Sequence, residues 1–336
     1  MNFSDIIGQT KVVESLKNSI VNNMVSHAYI FEGPEGIGKQ TMASIFAAAL
    51  TCERGQAEPC GTCRNCIKNE SNNHPDVKVI EGSASSIGVD VIRELQKDMY
   101  IKPYEAGRKI YIIPRADRMT VQAQNGLLKI LEEPPEYGVI ILTTINSSLL
   151  LNTILSRTIL VRFKTHPYKE IEDFLRKEYL ELTDEIPFLV MLSGGIIGRA
   201  KDIAASQEFR DMRRDIIEII TKLLNHSELD ILEAVNYFND HKNMIESILD
   251  LLLLWFRDIL FIKELHNENM VINIDMLGRL KEFSRRVSSR AACKIIDIII
   301  DIKKKISMNA NYTLAIETML IQSWEEVHGN SSRSAV

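Results

Sequence analysis

The sequence predicts an α/β domain built on a parallel sheet, followed by an all-α region. Five short β-branched runs, "HAYIF" at 27–31, "DVKVI" at 76–80, "KIYII" at 109–113, "GVIILTT" at 138–144 and "ILVRF" at 159–163, alternate with segments of helical spacing. Strands separated in this way pair in parallel under helical cover. The runs stop near 163, and beyond "THPYKE" at 165–170 the apolar residues recur only at helical intervals. A glycine-rich break, "SGGIIG" at 193–198, divides that region into a shorter and a longer piece. Boundaries therefore fall near 165 and 207, giving domains at 1–165, 166–206 and 207–328, with a small, polar, disordered tail at 329–336.

The first strand leads into "EGPEGIGK" and then "QTMASIFAAAL". Strand, glycine-rich turn and helix form the setting a phosphate-binding loop requires. Gly33, Gly36 and Gly38 would let backbone N–H groups converge on an anion, with Lys39 as the point charge. The pattern asks for a hydroxyl at position 40 to hold Mg²⁺ and finds Gln40. Thr41, one residue on, points about 100° away on a helix. The strand that should end in acids to hold metal and orient water continues instead as "KIYIIPRADRM", with Pro114 and Arg115 at its end. Asp117 lies beyond and reads as a helix cap or surface carboxylate rather than a displaced ligand. Losing the metal hydroxyl and both acids together predicts a retained fold without hydrolysis. Lys39 and the glycines could still hold phosphates without turning them over.

Cys52, Cys60, Cys63 and Cys66 stand as C-x₇-C-x₂-C-x₂-C. Four thiolates within fifteen residues suit a closed tetrahedral Zn²⁺ site, structural rather than catalytic, and outweigh a redox C-x-x-C pair. Arg54, Arg64 and Lys68 stand close enough in sequence to offset the charge of such a centre. Cys293, among apolar helical positions, reads as a small core residue. Arg157 precedes the last strand after a helical turn. A guanidinium there could reach the γ-phosphate of a neighbouring subunit, or could simply be a surface or salt-bridged arginine. The "LLLLWF" run at 251–256, bracketed by Asp250 and Arg257, is too short to span a bilayer and reads as the seam of a buried helix.

Charged residues make up 25% and hydrophobic ones 45%, with a formal net charge of -5. This balance gives no global attraction to nucleic acid, which argues against an independent zinc-dependent nucleic-acid binder. The start, "MNFSDIIGQT", lacks the basic and apolar regions of a signal peptide, so a cytoplasmic protein is expected.

Taken together, "FSDIIGQ" at 3–9, "SHAYIFEGPEGIGK" at 26–39, the cysteine insert, "HPDV" at 74–77, "AQNGLLKILEEPP" at 123–135, "SRT" at 156–158 and "NANYTLAIETML" at 309–320 make the chain resemble the bacterial clamp-loader AAA+ proteins. The resemblance spans essentially the whole chain. It implies a RecA-like AAA+ domain with a zinc module at 52–66, a small helical lid at 166–206 and a helical collar at 207–328. It also implies a five-subunit ring with tau/gamma and delta subunits, which uses ATP to place a sliding clamp on primed DNA, away from any membrane. Arg157 matches the arginine of the family's Ser-Arg-Cys motif, which reaches a neighbour's ATP, although Thr158 replaces the cysteine. Pro114 and Arg115 fall on the acidic pair, and Gly198 falls where the ATP-hydrolysing relatives keep a lid arginine, with Arg199 beside it. The resemblance thus implies a non-hydrolysing stator. The alternative is an active ATPase of the tau/gamma type, its metal held by Thr41 and Asp117.

Overall fold

Where the β-branched runs stand, five strands form: β1 (Ala28–Glu32), β2 (Val77–Val79), β3 (Lys109–Ile113), β4 (Gly138–Thr144) and β5 (Ile159–Arg162). In this computed structural model, which describes residues 2–82, 86–223, 229–265 and 270–328, they pair in parallel in the order β2-β3-β4-β1-β5. Between them run α1 (Thr10–Val21), α2 (Lys39–Thr51), α3 (Arg64–Glu70), α4 (Val89–Met99), α5 (Val121–Glu132) and α6 (Asn152–Leu155). The tail expected to be disordered at 329–336 lies outside the described residues.

Successive side chains of a strand point to opposite faces, and the core follows that period. Ala28, Ile30, Tyr111, Ile113, Ile140 and Leu142 meet Ile92, Leu95, Leu127 and Ile154 in one layer. Tyr29, Phe31, Ile110, Ile112, Val139 and Ile141 meet Leu16, Met42, Ile45 and Phe46 in the other. Both faces of the sheet are covered, which is why its central strands read as continuous apolar runs rather than as alternating ones.

Beyond β5 the described residues are helical: α7 (Tyr168–Glu178), α8 (Ile186–Ser193), α9 (Ile197–Ala205), α10 (Gln207–Leu223), α11 (Leu229–Asp240), α12 (Ile245–Leu260), α13 (Leu277–Arg286), α14 (Ser289–Ser307) and α15 (Tyr312–His328). The chain divides into two compact units, residues 1–170 with 195–199, and residues 171–194 with 200–336.

In the second unit Leu251, Leu252, Trp255 and Phe256 are buried, as the seam reading of "LLLLWF" expects. Trp255 and Phe256 both set their rings edgewise against Phe283, with centroids 6.3 and 6.1 Å away, so this seam is an internal core. Asp258, fully buried on α12, accepts hydrogen bonds from the Ile272 and Asn273 backbone N–H groups at 3.1 and 2.8 Å. Arg213 crosses to Asp275 at 2.7 Å and lies 3.7 Å above the Phe188 ring. One sequence expectation is corrected here. Cys293 is exposed rather than a core residue, because α14 buries the stripe Ala292, Ile295, Ile299 and Ile302, and position 293 is turned about 100° from Ala292. No described helix is long and apolar enough to cross a membrane.

Candidate functional site

The glycine-rich loop joins β1 to α2 at the C-terminal edge of the sheet, the edge at which open α/β sheets bind ligands. Gly36 and Gly38 have φ of 80° and 101°, left-handed conformations that a side chain would strain. Lys39 does not project into solvent. Its Nζ donates to the carbonyls of Gly33 and Pro34 at 2.6 and 2.7 Å. Burial pushes its pKa down, against the opposing pull of Glu35 and Asp117. A cavity of about 420 Å³ lies beside it, lined by Gln40, Thr41, Arg115 and Asp117 among others.

Arg115 occupies the end of β3 with φ of 50°. Its guanidinium donates to Glu35 Oε2 in the loop at 2.6 Å. A cation therefore stands where a hydrolytic site would carry a carboxylate. Asp117 accepts from Thr144 Oγ1 at 3.0 Å and from the Ile145 N–H at 3.3 Å, so it secures the end of β4. The helix cap nearby is Thr120, whose Oγ1 accepts from the Ala123 N–H at the start of α5. Gly198 donates its N–H to the Gly36 carbonyl at 3.0 Å. A Cβ on Gly198 would sit 2.6 Å from that same oxygen, so no side chain fits there while the contact stands.

Arg157 lies between α6 and β5, half-exposed. Nη1 donates to the Thr153 carbonyl at 3.0 Å and to Ser156 Oγ at 3.1 Å, and Nη2 pairs with Glu132 Oε1 at 3.0 Å. The segment leading to α6 is tied to α5 by Gln124, whose Oε1 accepts from the Leu151 N–H at 2.8 Å while Nε2 donates to the Met119 and Leu149 carbonyls. Neither Gln124 nor Glu132 was singled out from the sequence as an individual residue. Both lie in "AQNGLLKILEEPP" and could have been found only by knowing that α5 packs beside the arginine.

The structure gathers the four cysteines in the same unit. Their Sγ atoms all lie within 4.8 Å of one another, and they could hold a metal ion. The turns supply N–H groups to sulfur: Cys63 N–H donates to Cys60 Sγ at 3.3 Å, and Cys66 N–H to Cys63 Sγ at 3.4 Å. Hydrogen bonds from Thr62 and Cys63 pull the Cys60 thiol down to about 5, whereas burial pushes Cys66 up to about 12. Of the cations near it in sequence, Arg54 donates to Thr62 Oγ1 at 3.2 Å, and Lys68 is engaged by Glu105.

Glu105 belongs to a loop anchored by Asp76 of the "HPDV" run. Asp76 is wholly buried and accepts N–H groups from Tyr104, Glu105 and Ala106 at 2.7, 2.8 and 2.9 Å. Burial acts to raise its pKa, but these three donors outweigh it and hold the carboxylate low. His74 Nδ1 accepts the Asp76 N–H at 3.1 Å, which completes the turn.

A family profile described as DNA polymerase III, delta subunit, matches residues 8–167, and one described as DNA polymerase III, delta subunit, C terminal, matches residues 207–326. DNA polymerase III subunit delta′ of Bacillus subtilis (strain 168) is 33% identical over 323 residues, covering 94% of this chain and 96% of that protein. DNA polymerase III subunit tau of the same organism is 28% identical over 320 residues, 88% of this chain but 57% of its own length. A solved DNA polymerase III, gamma subunit-related protein from Thermotoga maritima is similar over 94% of this chain and 99% of that one, at 22% identity and a TM-score of 0.45.

Proposed function

We propose that this chain, which belongs to the delta prime family of DNA polymerase III clamp-loader subunits, serves as a stator that does not itself hydrolyse ATP and presents Arg157 to a nucleotide held by a neighbouring subunit. The observation that carries the first half is the Arg115–Glu35 pair across the phosphate loop. Mg²⁺ at that place would meet a guanidinium instead of a carboxylate, and like charges at a few ångström repel. The second half rests on a half-exposed guanidinium ahead of β5, where an arginine supplied in trans typically contributes ~10³–10⁵ in rate.

On this reading residues 1–165 form the AAA+ core, 166–206 the lid and 207–328 the collar through which tau/gamma and delta subunits assemble with this chain in a five-membered ring. The ring acts in the cytoplasm on a sliding clamp and primed DNA. The four cysteines hold structural Zn²⁺: a tetrahedron with Zn–S of about 2.3 Å places its sulfurs about 3.8 Å apart, within the 4.8 Å spread observed. Cys52, Cys60, Cys63 and Cys66 would supply all four ligands and leave no position for water.

A second reading has one observation in its favour. Thr41 and Asp117 line the same cavity as Lys39, the arrangement an active tau/gamma-type ATPase would need. Asp117 is committed to Thr144 and Ile145, which weakens it. ATP turnover by the isolated chain, and by a reconstituted ring carrying Arg157→Ala, separates the two readings. The stator reading expects a silent isolated chain and a ring that loses the turnover of the site Arg157 faces. Turnover by the isolated chain with an unaffected mutant ring would establish the second reading instead.

A further inference from the structure

Arg157 is held by more than its own turn. Nη1 donates to the Thr153 carbonyl and to Ser156 Oγ, and Nη2 lies 3.0 Å from Glu132 Oε1 in an ion pair whose N–H groups are not aimed at the oxygen. Among the described residues no hydrogen-bond acceptor meets the Nε–H or the Nη2 N–H groups. Two N–H groups on one side of a planar guanidinium form the fork that takes two oxygens of a phosphate. The two Nη1 hydrogen bonds and the Glu132 ion pair fix which way that fork faces. Thr153 and Ser156 belong to the same short stretch as Arg157 and move with it. Glu132, at the end of α5, is the one partner mounted on a separate element.

We infer that Glu132 is a positioning residue for Arg157: its carboxylate orients the guanidinium so that the free fork faces outward to a neighbour's phosphates. This rests on the trans-arginine reading above. The pair is half-exposed, with side-chain exposures of 35% and 52%, so it adds little to stability. Its effect is on the rotamers that Arg157 samples, and a misdirected catalytic group costs rate rather than binding.

The test uses the assembled clamp loader, reconstituted from this chain and its cognate subunits, with clamp and primed DNA present. Glu132→Ala lowers kcat for ATP by about two- to fivefold, the range an exposed ion pair commands, while KM and ring assembly by gel filtration stay unchanged. Glu132→Gln, which keeps an oxygen at the same place, restores most of the rate. In an Arg157→Ala background Glu132→Ala has no further effect, because nothing remains to orient. Three outcomes would overturn the inference: unchanged kcat in Glu132→Ala when Arg157→Ala is impaired, equal losses in both backgrounds, or loss of ring assembly in both Glu132 variants, which marks a structural role. If Arg157→Ala itself leaves turnover intact, the trans-arginine reading fails, and the inference with it.

Discussion

Replacing Asp76 by asparagine tests the link between the sheet and the cysteine module. The carboxylate is wholly buried, with Oδ1 taking the Tyr104 N–H and Oδ2 taking those of Glu105 and Ala106. Asparagine has the same shape, and in its better orientation keeps one oxygen for the latter pair. Its NH₂ then faces the Tyr104 N–H, which is left without an acceptor at a cost of ~1–3 kcal/mol. The two bonds that remain fall from charge-assisted to neutral strength, a further ~1 kcal/mol, so the unit holding the sheet loses about 3 kcal/mol. With a guanidinium chloride m-value of about 4 kcal/mol/M, its midpoint shifts by roughly 0.7 M. The chain's two tryptophans, Trp255 and Trp324, both lie in the other unit. Tryptophan fluorescence therefore follows that unit, while far-UV circular dichroism and, with the proposed zinc site loaded, metal release also follow the first. The expected result is an earlier circular dichroism and metal-release transition with the fluorescence transition unmoved. A midpoint shift below about 0.2 M, or an equal shift in both signals, would refute the assignment of Asp76 as a buried anchor. The pH dependence adds a control. The folded carboxylate is held below its ordinary 3.8, so its contribution is present above that pH and disappears as the solution is acidified through the folded value. The deficit of the variant should therefore shrink below about pH 4.

Chelation, or Cys63→Ser, should destabilise residues 1–170 by several kcal/mol and release one zinc per chain, read by a chromogenic indicator, while the tryptophan transition is unchanged. Asp98 should set a second acid limit. Burial acts to raise its pKa, but Lys78, Tyr111 and the fully buried Lys109 outweigh it and hold it at about 2. Its stabilisation, about 2 kcal/mol from a shift of that size, is present above pH 3.8 and lost as pH falls toward 2. Asp98→Asn should remove it at neutral pH, measured as a lower thermal midpoint.

The sheet was legible because burial on both faces leaves a local trace. A run such as "KIYII" is apolar throughout only if neither face meets water, and its end at Ile113 stands where sequence places it. The cysteine cluster was legible for a similar reason, since its spacing is set by turns of a few residues. What escaped were partners brought together from distant segments. Asp76 is written plainly in "HPDV", but the N–H groups it accepts lie 28 to 30 residues later, on a loop whose return depends on the β2–β3 pairing. Glu132 and Arg157 are likewise separated by α6 and all of β4. Cys293 failed on phase: its neighbours are apolar, yet α14 turns it away from the buried stripe, and composition does not record which side of a helix a residue takes.

If the stator reading holds, the same distinction explains how a phosphate loop can keep its shape without hydrolysing ATP. Two charged groups beside the cavity are met here by the chain itself, Lys39 by the Gly33 and Pro34 carbonyls and Arg115 by Glu35, while Gly198 closes on the Gly36 carbonyl. An incoming triphosphate would have to displace the two Lys39 bonds, each worth ~1.5–3 kcal/mol as a bond to a charged donor. It would also have to open the exposed Arg115 pair, worth at most ~1 kcal/mol. Arg115, just past the end of β3, sets a positive charge beside the cavity that would receive the Mg²⁺ needed to repay this. Lys39 in this chain accordingly does structural work in closing the loop, and its presence does not argue for hydrolysis. On the stator reading the loop needs only to hold α2 against the sheet, because β1, which it follows, pairs with the β5 strand that Arg157 precedes. The arginine's mount is then complete with the nucleotide site empty, and the proposed role does not depend on whether this chain binds nucleotide.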